Sequence, residues 1–439
     1  MKFNKVILSI LATSALFNGA FAQQRQIPEK ATLEQLIDYA LEHKISVKQA
    51  QIDEAIGEKD IDISLSGWYP QIGVTGSYNH ALKLPTNYFG GQTITLGQKN
   101  TTALTVQADQ QLLNPSLLQA SKAAELVRLS NKQNTENIKI NTVVEVSKAY
   151  YDILTAEEQL NIIRENIIRL NKQLNDAQVQ YEVGLVDKTD FKRAQIALSN
   201  TKADEKRTLE LRKYKYDYLK NLLAIDIKEH LTLSFDNANM EHEILLDTAS
   251  GLDNSRRIEL QQLQTAKKMQ ELTTQYHKWT YLPNLSAFVN YGLNYRNDQF
   301  GDMFKDNFPS SMIGLNLSIP IFQGFKRKHE ISKSQLQESR IDWDIQNIEN
   351  QINTEYSLAK ASYNANLNDW RTSKDNMELS KEVYNTIKLQ YDEGITRYLD
   401  LMTAETDLKT SQLNYLNSLY ALLSSKLDVQ KALGNIETK

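Results

Sequence analysis

Residues 311–321 read Ser-Met-Ile-Gly-Leu-Asn-Leu-Ser-Ile-Pro-Ile, and from Ile313 onward every second residue is leucine or isoleucine. Small or polar residues and one proline occupy the positions between them. An alternation with a period of two predicts a β-strand that has one apolar face and one polar face. This segment therefore predicts a strand whose two faces meet different surroundings.

Three other segments show the same alternation. We predict four strands in all, over 71–84, 101–113, 284–296 and 310–322. Each has about the length of a strand that crosses a bilayer at a tilt. Four strands cannot close a barrel around a lumen, so strands that span a membrane would require several subunits to share one barrel.

Aromatic residues cluster near both ends of these segments. They are Trp68, Tyr69, Tyr281 and Phe322 at one end, and Tyr88, Phe89, Phe300, Phe304 and Phe308 at the other. Two such groups are typical of the two interfaces of a membrane. The alternative is a pair of ordinary hairpins packed against helices.

Long helices are predicted for most of the remaining chain. No proline occurs in 116–282 or in 321–439, and proline costs about 3 kcal/mol inside a helix. From Ala149 to Tyr181, apolar residues recur in steps of four and three, which predicts a left-handed coiled coil. The segment from 325 to 391 behaves similarly. A helix of about 65 residues would be ~100 Å long. A soluble coiled-coil protein would show the same pattern.

The first 22 residues have the pattern of a secretory signal peptide. Lys2 and Lys5 precede a short apolar run, and Ala20-Phe21-Ala22 fits a cleavage site. Removing two lysines and no acids changes the formal charge from −4 to −6. This acidity argues against a nucleic-acid partner. The chain has no cysteine, so disulfides are excluded.

The chain also contains an internal repeat. Trp68-Tyr69-Pro70 matches Tyr281-Leu282-Pro283 at an offset of 213 residues. Tyr181-Glu182-Val183-Gly184 matches Tyr391-Asp392-Glu393-Gly394 at an offset of 210. A nearly constant offset indicates a tandem duplication. We divide the mature chain into a first repeat (23–223), a linker (224–250) and a second repeat (251–439).

No catalytic or cofactor-binding pattern is present. No two of the six histidines have a helical spacing of three or four, and neither a G-x-S-x-G motif nor a phosphate-binding loop occurs. We therefore expect no enzyme activity, cofactor or metal.

The order of the predicted elements and the duplicated tyrosine-x-x-glycine turns resemble the outer-membrane efflux protein family, the TolC type. The resemblance covers essentially the whole mature chain. It implies a mainly α-helical fold with a transmembrane β part, in which a homotrimer shares one 12-stranded barrel. It also implies a long periplasmic coiled-coil α-barrel, whose far end contacts an adaptor protein and an inner-membrane pump. The segments 85–100 and 297–309 would be external loops, and 224–250 with the C-terminal tail would form a belt around the α-barrel.

The resemblance assigns adaptor docking to the two glycine turns. The matching residues are Val183, Gly184, Leu185, Gly394 and Ile395. Taken without the resemblance, these turns would simply reverse two helical hairpins.

The periplasmic gate is assigned in the same way. Its matching residues are Asp190, Tyr391, Thr396, Arg397 and Asp400. The family pairs a turn tyrosine with an aspartate of a neighbouring hairpin, which correspond to Tyr391 and Asp190, and forms an acidic ring at the position of Asp400. Thr396 replaces a gating arginine and Thr403 replaces a second acid, so this gate is expected to differ from the family pattern. The plainer interpretation of both aspartates is an acid in the first turn of a helix.

These expectations describe a channel for passive exit from the periplasm, serving an efflux pump or a type I secretion system. The alternative is a non-channel periplasmic coiled-coil adaptor or spacer. An adaptor would be expected to carry a compact domain of glycine-punctuated strands, and the sequence does not predict one.

Overall fold

The computed structural model describes residues 30–184, 187–234 and 251–438. The helices are α1 (Leu33–His43), α2 (Ile45–Leu65), α3 (Pro115–Glu182), α4 (Lys188–Leu223), α5 (Ile258–Trp279), α6 (Lys326–Asp392) and α7 (Tyr398–Ala432). The strands are β1 (Gln71–His80), β2 (Thr86–Phe89), β3 (Gln92–Thr95), β4 (Asn100–Leu113), β5 (Asn284–Asn297) and β6 (Ser310–Ser318). The expected signal peptide, Leu185 and residues 235–250 of the expected linker lie outside the described ranges.

The two long helices confirm the prediction from the proline-free segments. Helix α3 has 68 residues and α6 has 67, so each is ~100 Å long. Pro115 occupies the first turn of α3, where its missing N–H costs nothing, and the Asn114 side chain caps the helix by accepting from the Ser116 N–H at 2.9 Å. Within the described ranges, no helix is both long and apolar enough to cross a membrane.

The long helices form two antiparallel hairpins, which we call hairpin 1 (α3–α4) and hairpin 2 (α6–α7). Helices α3 and α7 pack together and join the two hairpins. The main core lies part of the way along the rod, where Ile153 of α3 and Leu422 of α7 are fully buried with Leu36 of α1. The segment that follows α4 also reaches this core. There Leu233 forms a parallel bridge with Ala31, which precedes α1. The core therefore fixes the hairpins relative to each other at this level.

One four-stranded antiparallel sheet has the order β1-β4-β5-β6. Its register aligns Ile72, Ala108, Val289 and Ile313 in one row across the strands. The alternating leucine, isoleucine and valine residues of the four strands consequently share one face, which we call the apolar face, whereas Phe288 and Met312 lie on the opposite face. Residues such as Gln107 and Asn290 lie on the opposite, polar face. The predicted two-faced strands are confirmed.

Two strand boundaries and one loop differ from the prediction. Strand β1 ends at His80 and not at 84, and β6 ends at Ser318, shortly before Pro320, which has no N–H for a further ladder bond. The predicted loop 85–100 contains the hairpin β2–β3. Its two turn residues, Gly90 and Gly91, both have positive φ, as a tight hairpin turn requires.

Candidate functional site

The tip of hairpin 2 is a glycine-terminated helix end. Gly394 has φ 74° and donates its N–H to the carbonyl of Tyr391 at 2.9 Å. The N–H of Ile395 reaches the carbonyl of Gln390 at 2.8 Å. These two bonds form a Schellman motif, which satisfies carbonyls that the helix itself leaves free. The chain then reverses within a few residues and begins α7.

The tip of hairpin 1 has a similar turn. Gly184 has φ 78°, and its N–H donates to the carbonyl of Tyr181 at 3.0 Å. Helix α4 then begins with Asp187 as its cap, because the Asp187 carboxylate accepts from the Thr189 N–H at 3.2 Å. Apart from the chain neighbours, no atom of the described residues lies within 4 Å of the position that a Cβ would take at Gly184 or Gly394, so the positive φ is what requires glycine there.

The residues assigned to docking are exposed at these tips. Val183 and Ile395 point their apolar side chains away from the described part of the chain, with 65% and 76% of their surface exposed. Leu185, the third apolar docking residue, lies outside the described ranges. Exposed β-branched residues at both turns are compatible with a docking surface, but they do not by themselves identify a partner.

Asp400 makes local hydrogen bonds at the start of α7. One of its carboxylate oxygens accepts from the Thr396 hydroxyl at 2.9 Å and from the Arg397 N–H at 3.3 Å. A carboxylate in the first turn of a helix also interacts favourably with the helix dipole. Asp400 nevertheless remains exposed, so its charge can act outside the chain. Thr396 is therefore a hydrogen-bond partner of the acid.

Tyr391 and Tyr398 bring the two tips together. Their ring centroids are 6.1 Å apart, and Tyr398 is buried with Ala177 of α3 and Ala194 of α4. Burial raises the pKa of the Tyr391 phenol, and the nearby carboxylates Asp176 and Asp190 raise it further. Gln180 forms a hydrogen bond with Tyr391 and acts in the opposite direction. The predicted gate residues Tyr391 and Asp190 are thus neighbours within a single chain.

A buried acid beside this cluster was not predicted. The side chain of Glu405 in α7 is only 3% exposed and lies 3.0 Å from the Arg169 Nε of α3. Asn166 and Gln173, also of α3, donate to the same carboxylate. The Arg169 guanidinium lies 5.8 Å from the centre of the Tyr384 ring of α6. These contacts join hairpin 1 to hairpin 2 just above the tips.

The sequence contains a signal for this cluster. Tyr398, Leu401, Glu405 and Leu408 follow one another at steps of three and four, and all four are buried. An acid in an apolar heptad position is a candidate for a buried partner. Glu405 is thus a buried member of this heptad pattern and not part of a solvated helix face.

Among the described residues, no cluster of three or more histidine, cysteine or acidic side chains could hold a metal ion. The Tyr398 hydroxyl is buried and has no hydrogen-bond partner in the described ranges. Burial raises its pKa, so it is a neutral phenol at physiological pH.

Comparison with known proteins identifies the class. A family model described as outer membrane efflux protein matches residues 36–224 and 255–435. The chain therefore belongs to the outer membrane efflux protein family. Members of this family are outer-membrane efflux channels of Gram-negative bacteria and not enzymes, and we assign the chain to that class.

Individual relatives agree with this assignment. The chain is 20% identical to the outer membrane protein TolC of Escherichia coli K12 over 409 residues, 89% of this chain and 79% of that protein. It is 21% identical to TolC of Salmonella enteritidis over 406 residues, which are 89% of this chain and 79% of that protein.

Solved structures show the same fold. The chain is similar to CusC, with a TM-score of 0.76, 16% identity and 91% of each chain covered. It is also similar to the CmeC outer membrane channel of Campylobacter jejuni, with a TM-score of 0.75, 17% identity and coverage of 92% and 86%. A third similar structure is the open state of the MtrE outer membrane channel of Neisseria gonorrhoeae, with a TM-score of 0.73, 19% identity and coverage of 92% and 90%.

Proposed function

We propose that three copies of this chain form a passive duct through which substrates leave the periplasm across the outer membrane. The observation that carries this proposal is the four-stranded sheet. Strand β1 pairs only with β4 and β6 only with β5, so within the described ranges each outer strand has one unpaired edge. Because open edges are not tolerated in lipid, edges of neighbouring subunits must pair, and three subunits supply twelve strands.

The two faces of the sheet support the same arrangement. Ile72 and Ile313 of the apolar face are 73% and 83% exposed, which is costly in water and favourable in lipid. The opposite face carries side chains such as Gln107, Asp109 and Asn290, which suit a water-filled lumen. The long helices would continue this lumen into the periplasm for ~100 Å.

We propose that the two tips contact a periplasmic adaptor that links the duct to an inner-membrane pump. Exposed Val183 and Ile395 on rigid glycine turns would present apolar contacts to the partner's helices. The pump would provide the transport energy, since this chain has no phosphate-binding loop.

The gate would be the ring formed by the same tips in the trimer. Tyr391, Tyr398 and Asp190 would hold the hairpins of each subunit together, and three copies of Asp400 would place like charges around the axis. Such an acidic ring favours cations over anions.

We also infer that the chain arose by tandem duplication, with 23–223 and 251–439 as the two halves and 224–250 as an equatorial linker. The positions that end the last helix of each half support this. Ala224 and Gly434 are 210 residues apart, and both have positive φ, at 56° and 69°. Alanine adopts this conformation rarely, so the shared geometry belongs to the turn itself and not to one residue type.

Native mass measurement of the detergent-purified protein tests the duct. We expect three chains per particle and ion conductance after insertion into a planar bilayer. A monomer with its sheet intact, found in the soluble fraction and without conductance, would contradict the proposal and favour a coiled-coil spacer.

A further inference from the structure

The connection between β5 and β6 turns back over the apolar face of the sheet. The Phe300 ring packs edge-on against Tyr78 of β1, with centroids 5.8 Å apart. The Phe304 ring packs against Tyr295 of β5 at 5.3 Å. Tyr78, Thr102 and Tyr295 are direct cross-strand neighbours and lie in the same face as Ile72. The segment 298–307, which we call the aromatic loop, therefore crosses three strands on the side that the proposed function turns towards lipid.

Hydrogen bonds fix this loop in place. Asn100, at the start of β4, is only 2% exposed, and its amide donates to the carbonyls of Asn297 and Asp298 at 3.1 Å each. The Tyr78 hydroxyl donates to the Asn100 side-chain oxygen at 2.9 Å. The Lys99 N–H donates to the Asp298 carboxylate at 3.0 Å. The loop is therefore built onto the sheet.

One loop residue is buried against the apolar face and two are presented outward. Met303 is 2% exposed, and its sulfur accepts from the Thr102 hydroxyl at 3.4 Å. Phe300 and Phe304 on either side of it are 63% and 62% exposed. Charged groups accompany them, since Asp302 and Lys305 form an ion pair at 2.8 Å within the same turn.

Phe308 lies on the other side of the sheet. Its N–H donates to the carbonyl of Asn294 at 2.8 Å, which continues the β5–β6 pairing, and Asn294 belongs to the polar face. The guanidinium of Arg296, on the same polar face, lies 4.3 Å from the centre of the Phe308 ring. Phe300, Phe304 and Phe308, which the sequence analysis placed in one aromatic cluster, are thus divided between the two faces of the sheet.

We propose that the aromatic loop is a membrane-contacting surface that binds the outer leaflet at the boundary between acyl chains and headgroups. Aromatic rings next to charged groups prefer this boundary, where one side is apolar and the other is wet. A neighbouring subunit would pair with the edges of β1 and β6 and so would lie beside the sheet and not over its face. Lipid is therefore the occupant that the geometry favours. This inference rests on the proposed outer-membrane duct.

Site-directed spin labelling tests the inference sharply, because the chain has no cysteine to label in the background. Three single variants, Phe304→Cys, Phe308→Cys and Ile313→Cys, are labelled with a nitroxide and reconstituted into phosphatidylcholine vesicles. Power saturation then compares collision with oxygen, which concentrates in lipid, and with a water-soluble nickel complex. We expect the label at 304 to favour oxygen, at a shallower depth than the label at 313, and the label at 308 to favour nickel.

The possible outcomes separate the inference from the proposed function. If the label at 313 favours oxygen but the label at 304 behaves like that at 308, the loop does not contact lipid and the inference is wrong. A label at 304 shielded from both reagents would indicate a protein neighbour and would also overturn it. If even the label at 313 favours nickel, the sheet is not in the bilayer and the proposed function itself fails.

A second measurement uses the folded fraction after insertion into the same vesicles. The pair Phe300→Ser with Phe304→Ser should show a loss of inserted protein, which Phe300→Leu with Phe304→Leu should largely restore. Phe308→Ser is the matched control and should insert like the unchanged chain. Equal insertion of the serine pair and the control would contradict a contribution of the loop to membrane binding.

Discussion

Glu405 of α7 and Arg169 of α3 form a buried ion pair, with 3.0 Å between the carboxylate Oε1 and the guanidinium Nε. The pair lies directly above the tips and links the two hairpins of one chain. Glu405 is the buried member of the pair, whereas Arg169 is 23% exposed and also pairs with Glu165 at 3.7 Å. The position of this pair therefore connects the stability of the rod with the arrangement of the tips.

The first prediction concerns this ion pair. Glu405→Leu should destabilise the helical domain by about 1–3 kcal/mol, because Arg169 loses its buried partner but stays 23% exposed and keeps Glu165 at 3.7 Å. Adding Arg169→Leu should recover most of that loss. Urea unfolding followed by helical circular dichroism measures both. As a control, Lys59→Leu breaks the exposed Lys59–Asp62 pair and should leave the stability nearly unchanged. If Glu405→Leu and the double variant with Arg169→Leu were equally stable, the pair would not join the hairpins.

The second prediction separates two roles of Asp400. In planar-bilayer recordings, Asp400→Asn should reduce cation preference and block by multivalent cations, with the larger change at low salt because screening is weaker. Thr396→Val removes the 2.9 Å hydrogen bond to the carboxylate but keeps its charge, so selectivity should persist. If both variants leave ion preference unchanged, Asp400 acts only at the start of α7.

The third prediction concerns the two glycine turns. Gly394→Ala and Gly184→Ala should each cost about 1–2 kcal/mol from backbone strain alone, since both residues have positive φ and, apart from the chain neighbours, no atom of the described residues lies within 4 Å of the new Cβ. A bulky β-branched residue such as valine should displace the neighbouring tip residues further, so efflux should fall while the trimer still assembles. Gly251→Ala is the matched control, because that site is equally open but does not have positive φ. Unchanged transport in the double valine variant would remove the turns from the docking surface.

The fourth prediction concerns resting conductance. Tyr391→Phe and Asp190→Ala should both loosen the contacts between the tips and raise the conductance of the resting channel. Asp187→Ala provides a comparison. Asp187 caps the helix whose first turn contains Asp190, but it is not among the carboxylates that raise the pKa of Tyr391. Recordings in which all three variants match the unchanged chain would place the gate elsewhere.

The fifth prediction is a loss of tip stability at high pH. The folded pKa of Tyr391 is raised above its ordinary value of 10.0, mainly by burial and then by Asp176. The tyrosine contribution should be complete below pH 10.0 and should fall as the pH rises towards the shifted pKa, because the unfolded chain ionises first. Stability measured from pH 9 to 11 should therefore fall less in Tyr391→Phe. An identical decline in that variant would assign the alkaline loss to other groups.

The predictions from sequence succeeded where one chain segment determines its own periodicity. Proline-free segments gave helices of 68 and 67 residues, and the four alternating segments gave one sheet with a common apolar face. The β2–β3 hairpin was missed although Gly90-Gly91 is a recognised turn signal, because its strands are only four residues long.

The failures lie where two distant segments meet. The buried site of Glu405 was not predicted, because its partners are in α3, more than 230 residues earlier in the chain. The division of Phe304 from Phe308 depends on a loop that doubles back, and such a path leaves no period in the sequence. Tertiary contacts of this kind require the register between helices or strands, which single-segment patterns do not contain.

Because the tips lie far from the main core, a small rotation of a hairpin at the core produces a larger displacement at its tip. From the fully buried Ile153 to the end of α3 at Glu182 the helix extends for about 29 residues, or roughly 43 Å. A tilt of about 5° around the core would move the tip by roughly 4 Å, more than the length of a hydrogen bond. If the helix bends gradually instead of tilting as a rigid body, the same displacement is spread over about eight helical turns and is only ~0.5 Å per turn. An opening of this size needs no broken helix and no single flexible residue, so its mechanical work would be distributed along the whole lower rod.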